Sequence, residues 1–438
     1  MRTWRAVAPV RNLLIHVLFL GAASGAVAQT CPTDTTRGAL VVAISPGPNG
    51  EPLTVALTGP GRFSATVQST TTYNDLPAGP YRAQITDGKR VTAAATPIGR
   101  AWSPVVRGTP ACVRAGAAAR LAAAYAVEPG SHKLWIVDDL GSAALALAPD
   151  VFAATGTVTP AARRALGMNK PKAVAFDAAG NMWVADISGA IASFGVWSLS
   201  GSGAARPRLT WTGPAVAAPA ALAFDAAGGL WVASREHRVS RFAPEHLSRP
   251  RAPAPHVTLS VPEPHGLAFD ASGNLWVASG ATPPALLRYD AARLDGSRPG
   301  PPDATVIAES PPPVIDELRG PAGLAFDRDG NLWVGYFGPN VIARLTAQEL
   351  SASGRVTPAI QLSLSVAALL ESLAFDESGA LWVPGESGQV LRLAPDQLRR
   401  SGTVTPPVVL TPGGLRYAVG LAVNPAVSWS AGGAPTRR

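Results

Sequence analysis

Apolar side chains alternate with small or polar ones over short stretches through most of this chain. The clearest stretch is a large, small, large triplet ending on Asp, followed by a polar turn containing Gly and then an unbroken apolar run around Trp. It recurs as KAVAFDAAGNMWVAD from Lys172, AALAFDAAGGLWVAS from Ala220, HGLAFDASGNLWVAS from His265, AGLAFDRDGNLWVGY from Ala322 and ESLAFDESGALWVPG from Glu371. Period-two alternation, an Asp-x-x-Gly turn and a second apolar run predict a β-hairpin at each copy.

Trp135, Trp183, Trp231, Trp276, Trp333 and Trp382 lie 48, 48, 45, 57 and 49 residues apart. A repeat of this length built from short strands cannot bury its faces without neighbours, and it predicts a β-propeller over residues 129–430. Each period divides into four strands: one ending in AFD, the tryptophan strand, a third such as Arg238 to Phe242, and a fourth such as Val257 to Val261. A single helical turn follows the third strand and ends on Phe152, Leu199, Leu247, Leu294, Leu350 or Leu398, 16 to 18 positions after its tryptophan. The first tryptophan strand has no AFD strand before it, and VGLAVNP from Val419 is an inner strand with no complete blade after it. Pairing these two closes a ring of six blades and removes the exposed sheet edges. A seventh blade using Trp429 would lack outer strands.

Residues 29–128 lack the repeat. GALVVAIS from Gly38, LTVALTGP from Leu53, RFSATVQS from Arg62, PYRAQITD from Pro80 and AAARLAAAYAV from Ala117 are β-type runs separated by Gly, Pro, Asn and Asp. They predict a small antiparallel β-sandwich, so the fold class is all-β. Its TGPGRFSATV and the following Leu76-Pro77-Ala78-Gly79-Pro80-Tyr81 resemble carboxypeptidase-regulatory or transthyretin-like modules, a resemblance over about 50 residues that implies a spacer or adhesion unit.

Residues 1–28 combine Arg2, Arg5 and Arg11, an apolar run from Leu13 to Leu20 and an Ala26-Val27-Ala28 exit, the plan of a secretory signal peptide. A lipoprotein signal ending at Cys31 is the alternative, with Gln29 and Thr30 standing where small residues are expected. The expected location is secreted or periplasmic, at the cell envelope. The two cysteines, Cys31 and Cys112, both fall in the exported part, where a lone pair is most simply a disulfide. Residues 431–438 read as a disordered tail, and no further apolar run reaches membrane-spanning length. The three arginines of the first 28 residues, with no acid among them, take the formal charge from +8 to +5. No basic run is interleaved with aromatics, which excludes a nucleic-acid groove.

Ala175, Ala223, Ala268, Ala325, Ala374 and Ala422 are small where strands would converge. Phe176, Phe224, Phe269, Phe326 and Phe375, with Val423 in the sixth copy, should wedge between blades beside the tryptophans. The acid of each Asp-x-x-Gly turn, Asp177, Asp225, Asp270, Asp327 or Asp376, suits a side chain accepting turn amides better than a calcium loop, which needs several oxygens at alternate positions.

The repeated sentence resembles NHL repeats and the propellers of the senescence-marker/gluconolactonase group and of virginiamycin B lyase, over about 300 residues. The resemblance implies a ligand face opposite the Asp-Gly hairpins. That face receives Lys172, Ala220, His265, Ala322, Glu371 and Ala418 from the strand starts, and Asp138, Asp139, Asp186, Arg235, His237, Tyr336 and Glu386 from the loops. Ligand-binding candidates are therefore Lys172, Asp186, Arg235, Tyr336, Glu371 and Glu386. The gluconolactonase likeness implies a divalent cation held by Glu371, Asp186 and Asp139, although Lys172 would oppose it. Pro264-His265-Gly266 matches the lyase's PHG letters and makes His265 a candidate general base, while the lyase's WFTE strand ending is absent. No HExxH, phosphate-binding glycine loop, CxxC or GxSxG occurs. The sequence thus favours a non-catalytic scaffold binding a protein, glycan or small molecule over a metal-dependent lactonase or lyase. Convergence of Glu371, Asp186 and His265 would mark the enzyme. A mouth lined by Ala220, Ala322 and a Lys172–Glu371 pair would mark the binder.

Overall fold

The computed structural model describes residue 31 and residues 36–93, 97–295, 300–308, 320–338, 340–429 and 435–437. The chain is all-β, and its only helical elements among these residues are single 3-10 turns. Two compact units are present, one of residues 1–91 and 101–127, the other of residues 92–100 and 128–438. The expected signal peptide lies outside the described residues. No helix among them is long and apolar enough to cross a membrane.

In the first unit, one sheet centres on Arg37–Ser45 and Ala118–Val127, the other on Thr54–Gly59 and Gly79–Asp87. Leu40, Val42 and Leu121 of the first share one core with Val55, Leu57, Phe63 and Tyr81 of the second. The Leu76–Tyr81 turn is locked by the Tyr81 hydroxyl donating to Pro77 O at 3.0 Å, and burial pushes that phenol up to about 12. Cys31 and Cys112 form a disulfide. The expected antiparallel arrangement is corrected at one place: Arg37–Ser45 and Ala118–Val127 pair in parallel. They are the first and last long strands of the unit, so no tight hairpin constrains their direction.

Among the described residues, six sheets of the second unit each carry one of the repeated tryptophans on the strand next to the innermost. Lys133–Asp138 pairs with Ala418–Asn424, Trp135 facing Ala422. The innermost strands follow one another: Ala418–Asn424 packs on Pro171–Phe176, then come Pro219–Phe224, Pro264–Phe269, Pro321–Phe326 and Ala374–Phe375, and the last packs back on Ala418–Asn424. The second unit is a β-propeller.

Aromatic packing explains the repeat. Each tryptophan meets the phenylalanine of the next copy: Trp135 with Phe176 at 6.2 Å, Trp183 with Phe224 at 6.2 Å, Trp231 with Phe269 at 6.0 Å, Trp276 with Phe326 at 6.4 Å and Trp333 with Phe375 at 6.1 Å. Val423 replaces the sixth phenylalanine, and there Trp382 packs on Phe152 at 4.5 Å instead. These tryptophans are buried, and each aromatic removes roughly 150–250 Å² from water, which at about 25 cal/mol per Å² makes them the main cohesive contribution.

Three features depart from the expected layout. Gly156–Val158, Ser202–Ala204, Gly354–Val356 and Gly402–Val404 each add a parallel edge strand to the preceding sheet. Ile98, from the segment 92–100, is fully buried in the core formed with Leu134, Trp382 and Leu421. Gly99 N donates to Glu377 Oε1 and Glu377 N to Pro97 O, both at 2.7 Å. Finally, Pro435–Arg437 forms a strand paired with Val427–Trp429.

Candidate functional site

Four of the innermost strands open on proline, and each has a register shift directly after it, between Pro171 and Ala173, Pro219 and Ala221, Pro264 and Leu267, and Pro321 and Leu324. A bulge there takes the second residue out of the ladder and re-aims its side chain. Lys172, Ala220, His265 and Ala322 occupy those bulged positions. In the strand Ala418–Asn424 the shift falls between the partners Ala418 and Gly420, so the equivalent residue is Val419. The expected Ala418 is instead fully buried in the core. Glu371 sits in a turn ahead of the short strand Ala374–Phe375.

These residues line a cavity of about 120 Å³. Its upper lining is Lys172, Ala220, His265, Ala322, Glu371 and Val419, with Arg235 at the edge. Small residues including Ala173, Ala221, Gly266 and Gly420 come next, and Val174, Leu222, Leu267, Leu324, Leu373 and Leu421 complete the lining with an apolar layer. The small layer is dictated by backbone approach. A Cβ on Gly420 would lie 2.8 Å from Lys172 O, and one on Gly323 2.8 Å from Leu370 O.

Lys172 Nζ donates to Glu371 Oε2, and both side chains are largely shielded from solvent. Burial lowers the His265 imidazole below its ordinary value, with Arg235 adding to the effect and Glu371 and Glu263 opposing it. Burial also raises Asp139, partly offset by Lys172 and Lys170. Tyr417 is raised by burial and by the carboxylates of Glu371, Glu386 and Asp139.

Of the sequence-derived candidates, Lys172, Arg235, His265 and Glu371 come together on this cavity. Six others, Asp138, Asp139, Asp186, His237, Tyr336 and Glu386, do not line it. Asp186 is buried and accepts from Asn169 N, Lys170 N, Ser188 N and Ser188 Oγ at 2.6–3.1 Å, so its carboxylate is consumed in stapling a loop. Asp138 does the same work for Gly141, Arg416 and Tyr417. Tyr336 is buried among Trp276, Leu324 and Val334, because every residue of its strand faces a sheet interior, and burial holds its phenol far above the ordinary value. Glu386 is exposed, and Asp139 N donates to Tyr417 O at 3.0 Å. His237 accepts from Glu263 N at 3.1 Å. Among the described residues no group of three or more His, Cys, Asp or Glu side chains is placed to hold a metal ion. Glu371, Asp186 and Asp139 therefore do not assemble as a ligand set: one is ion-paired and another is spent on turn amides.

Sequence reasoning missed Val419, Tyr417 and Ser372, whose Oγ accepts from Leu421 N at 3.0 Å. The bulge register would have found the first. For the other two the sequence offers no signal.

No family model matches the chain, and no curated protein matches it. Among solved structures, streptogramin B lyase is 14% identical over 51% of this chain, with a TM-score of 0.36. The chain spans 65% of that protein's length. A catalytically inactive virginiamycin B lyase from Staphylococcus aureus, solved with quinupristin, is 13% identical over 71% of this chain and 86% of its own, with a TM-score of 0.40. The β-propeller domain of Myceliophteria thermophila Swd1 is 11% identical over 51% of this chain and 64% of its own, with a TM-score of 0.36.

Proposed function

We propose that this is an exported binding scaffold: a signal peptide over 1–28, a small β-sandwich that displays it, and an NHL-like six-bladed propeller closed by its C-terminal strand. The propeller engages a protein, glycan or small molecule through the channel mouth at Lys172, Arg235, His265 and Glu371. The disulfide suits an oxidising compartment, and the pairing of Trp135 with Ala422 supports the ring closure.

The observation that carries the reading is the Lys172–Glu371 pair. It occupies the carboxylate that a catalytic cation would need and sets a positive charge beside it. Magnitude points the same way. A cavity of about 120 Å³ is well below the roughly 300–1,000 Å³ of ordinary small-molecule sites, so recognition at the mouth surface is favoured over engulfment of a substrate.

One observation favours a second reading, a metal-dependent lactonase or virginiamycin B lyase-like enzyme: His265 lines the cavity with its imidazole biased toward the neutral, base-competent form. Calorimetric titration with calcium, magnesium, zinc and manganese, a lactone and ester screen, and glycan and peptide arrays decide between the two. The scaffold reading expects no turnover and array binding that weakens in mouth variants. Metal-dependent turnover lost in His265→Ala would replace it with the enzyme.

A further inference from the structure

Arg235 differs from the other cations of this cavity. Lys172 is held by Glu371, and burial biases His265 toward neutrality, whereas the Arg235 guanidinium has no carboxylate partner among the described residues. Arg235 directly follows the tryptophan strand Leu230–Ser234, and its N donates to Ala218 O at 3.0 Å, which pins its backbone at the mouth. The upper residue of the inner strand beside it is Ala220, and beyond His265 comes Ala322. Two one-carbon side chains therefore leave this arc open, where Lys172 and Glu371 fill the opposite one.

A guanidinium presents five donors in a planar fork that matches a carboxylate bidentately, and it stays charged at any physiological pH. Lys172 and Glu371 neutralise each other on the opposite arc, which leaves Arg235 as the cation of this lining without a carboxylate partner among the described residues. The cavity is small, about 120 Å³, room for the acidic end of a ligand. Resting on the binding reading above, we propose that the mouth captures the carboxylate of an acidic ligand, with Arg235 as its anchor and the His265 imidazole beside it.

The test is an NMR titration of the full exported chain that follows the His265 imidazole, using matched probes: D-glucuronate against D-glucose and L-glutamate against L-glutamine. The acidic member of at least one pair is expected to bind about tenfold more tightly than its neutral partner. Arg235→Ala should erase that preference, Arg235→Lys should restore part of it, and Arg251→Ala should leave it intact, controlling for net charge. Preference in the sugar pair alone or the amino-acid pair alone upholds the proposal and identifies the source of the carboxylate. Equal binding of both members at His265 overturns the proposal and leaves the mouth-binding reading standing. If no probe moves His265, the carboxylate proposal falls, and the array experiment, which does not depend on ligand charge, judges the broader reading separately.

Discussion

Trp231 donates its indole N–H to Asp225 Oδ2 at 2.9 Å, so the two residues that mark each repeat in the sequence are bonded to each other in the fold. The same bond joins Trp183 to Asp177, Trp276 to Asp270, Trp333 to Asp327 and Trp382 to Asp376 at 2.9–3.1 Å. In the sixth sheet Asn424 stands in place of the aspartate. There the Trp135 indole turns to Gly130 O at 2.8 Å, which the Asn424 amide also reaches. Asp225 further accepts from Gly229 N at 2.7 Å and Arg241 Nε at 2.6 Å. Burial works to raise its pKa, but the bonds from Arg241, Trp231 and Gly229 prevail and hold it below the ordinary value. Asp225→Ala orphans three donors, one of them charged, and is expected to cost about 2–4 kcal/mol. Its stabilisation is full above the ordinary 3.8 and fades as pH falls toward the lowered native value. Denaturant unfolding at pH 7 and pH 3.5 checks both statements. A loss under 1 kcal/mol at pH 7 would remove this bond from the explanation of the repeat.

The Lys172–Glu371 pair links the inner strand Pro171–Phe176 to the turn before Ala374–Phe375, with Val419 of the intervening strand Ala418–Asn424 between them at the mouth. Its side chains are 16% and 22% exposed, which places it between surface pairs near 0.2–1 kcal/mol and buried ones whose disruption costs about 3–5 kcal/mol. A double-mutant cycle of Lys172→Ala and Glu371→Ala is expected to give a coupling of about 1–3 kcal/mol. Additive single losses would mean that the mouth is not braced by this contact.

His265 gives the molecule a pH dependence of defined sign. Its native pKa is lowered from 6.5 by burial first and by Arg235 second, so the unfolded chain takes up the proton more readily. Stability at His265 is therefore full above 6.5 and declines as pH falls from 6.5 toward the lowered native value. Guanidinium unfolding at pH 7.5 and 5.5 should show the loss, and His265→Gln should reduce it. A His265 contribution that grows on acidification would mean that Glu371 and Glu263 outweigh desolvation.

What the sequence revealed and what it hid follow from where the constraints act. Core positions such as Ala175, Phe224 and Trp276 obey a packing rule repeated in every copy, so period and register were legible. The mouth obeys no such rule. One bulge decides that Val419 lines the cavity and Ala418 does not, and alternation along the strand carries no mark of it. Tyr336 was misplaced because its strand is buried to its last residue. Segments reading Gly-Thr-Val-Thr-Pro at Gly156 and Gly402, and Gly-Arg-Val-Thr-Pro at Gly354, do recur visibly, yet only a pairing partner in the preceding sheet makes them strands. Ile98 was invisible, being an isolated apolar residue in the segment 92–100 that completes a core made by Leu134 and Trp382.

Gly266 separates packing from chemistry in the Pro264-His265-Gly266 letters. A Cβ there would collide with the carbonyl oxygen of Ala322, the neighbouring inner strand's backbone, which cannot yield as a flexible side chain could. The same need recurs at Gly323, against Leu370 O, and at Gly420, against Lys172 O. The glycine is thus explained by strands converging on the cavity, with no appeal to catalysis. Gly266→Ala is expected to destabilise the chain by about 2–4 kcal/mol through strand displacement, whereas His265→Ala, at a partly exposed position beside open space, should cost under about 1.5 kcal/mol. Thermal and denaturant unfolding of the two variants measures the contrast. If Gly266→Ala is tolerated while His265→Ala unfolds the protein, the roles assigned to the two residues are reversed, and the bulge that aims His265 into the cavity is not what positions it.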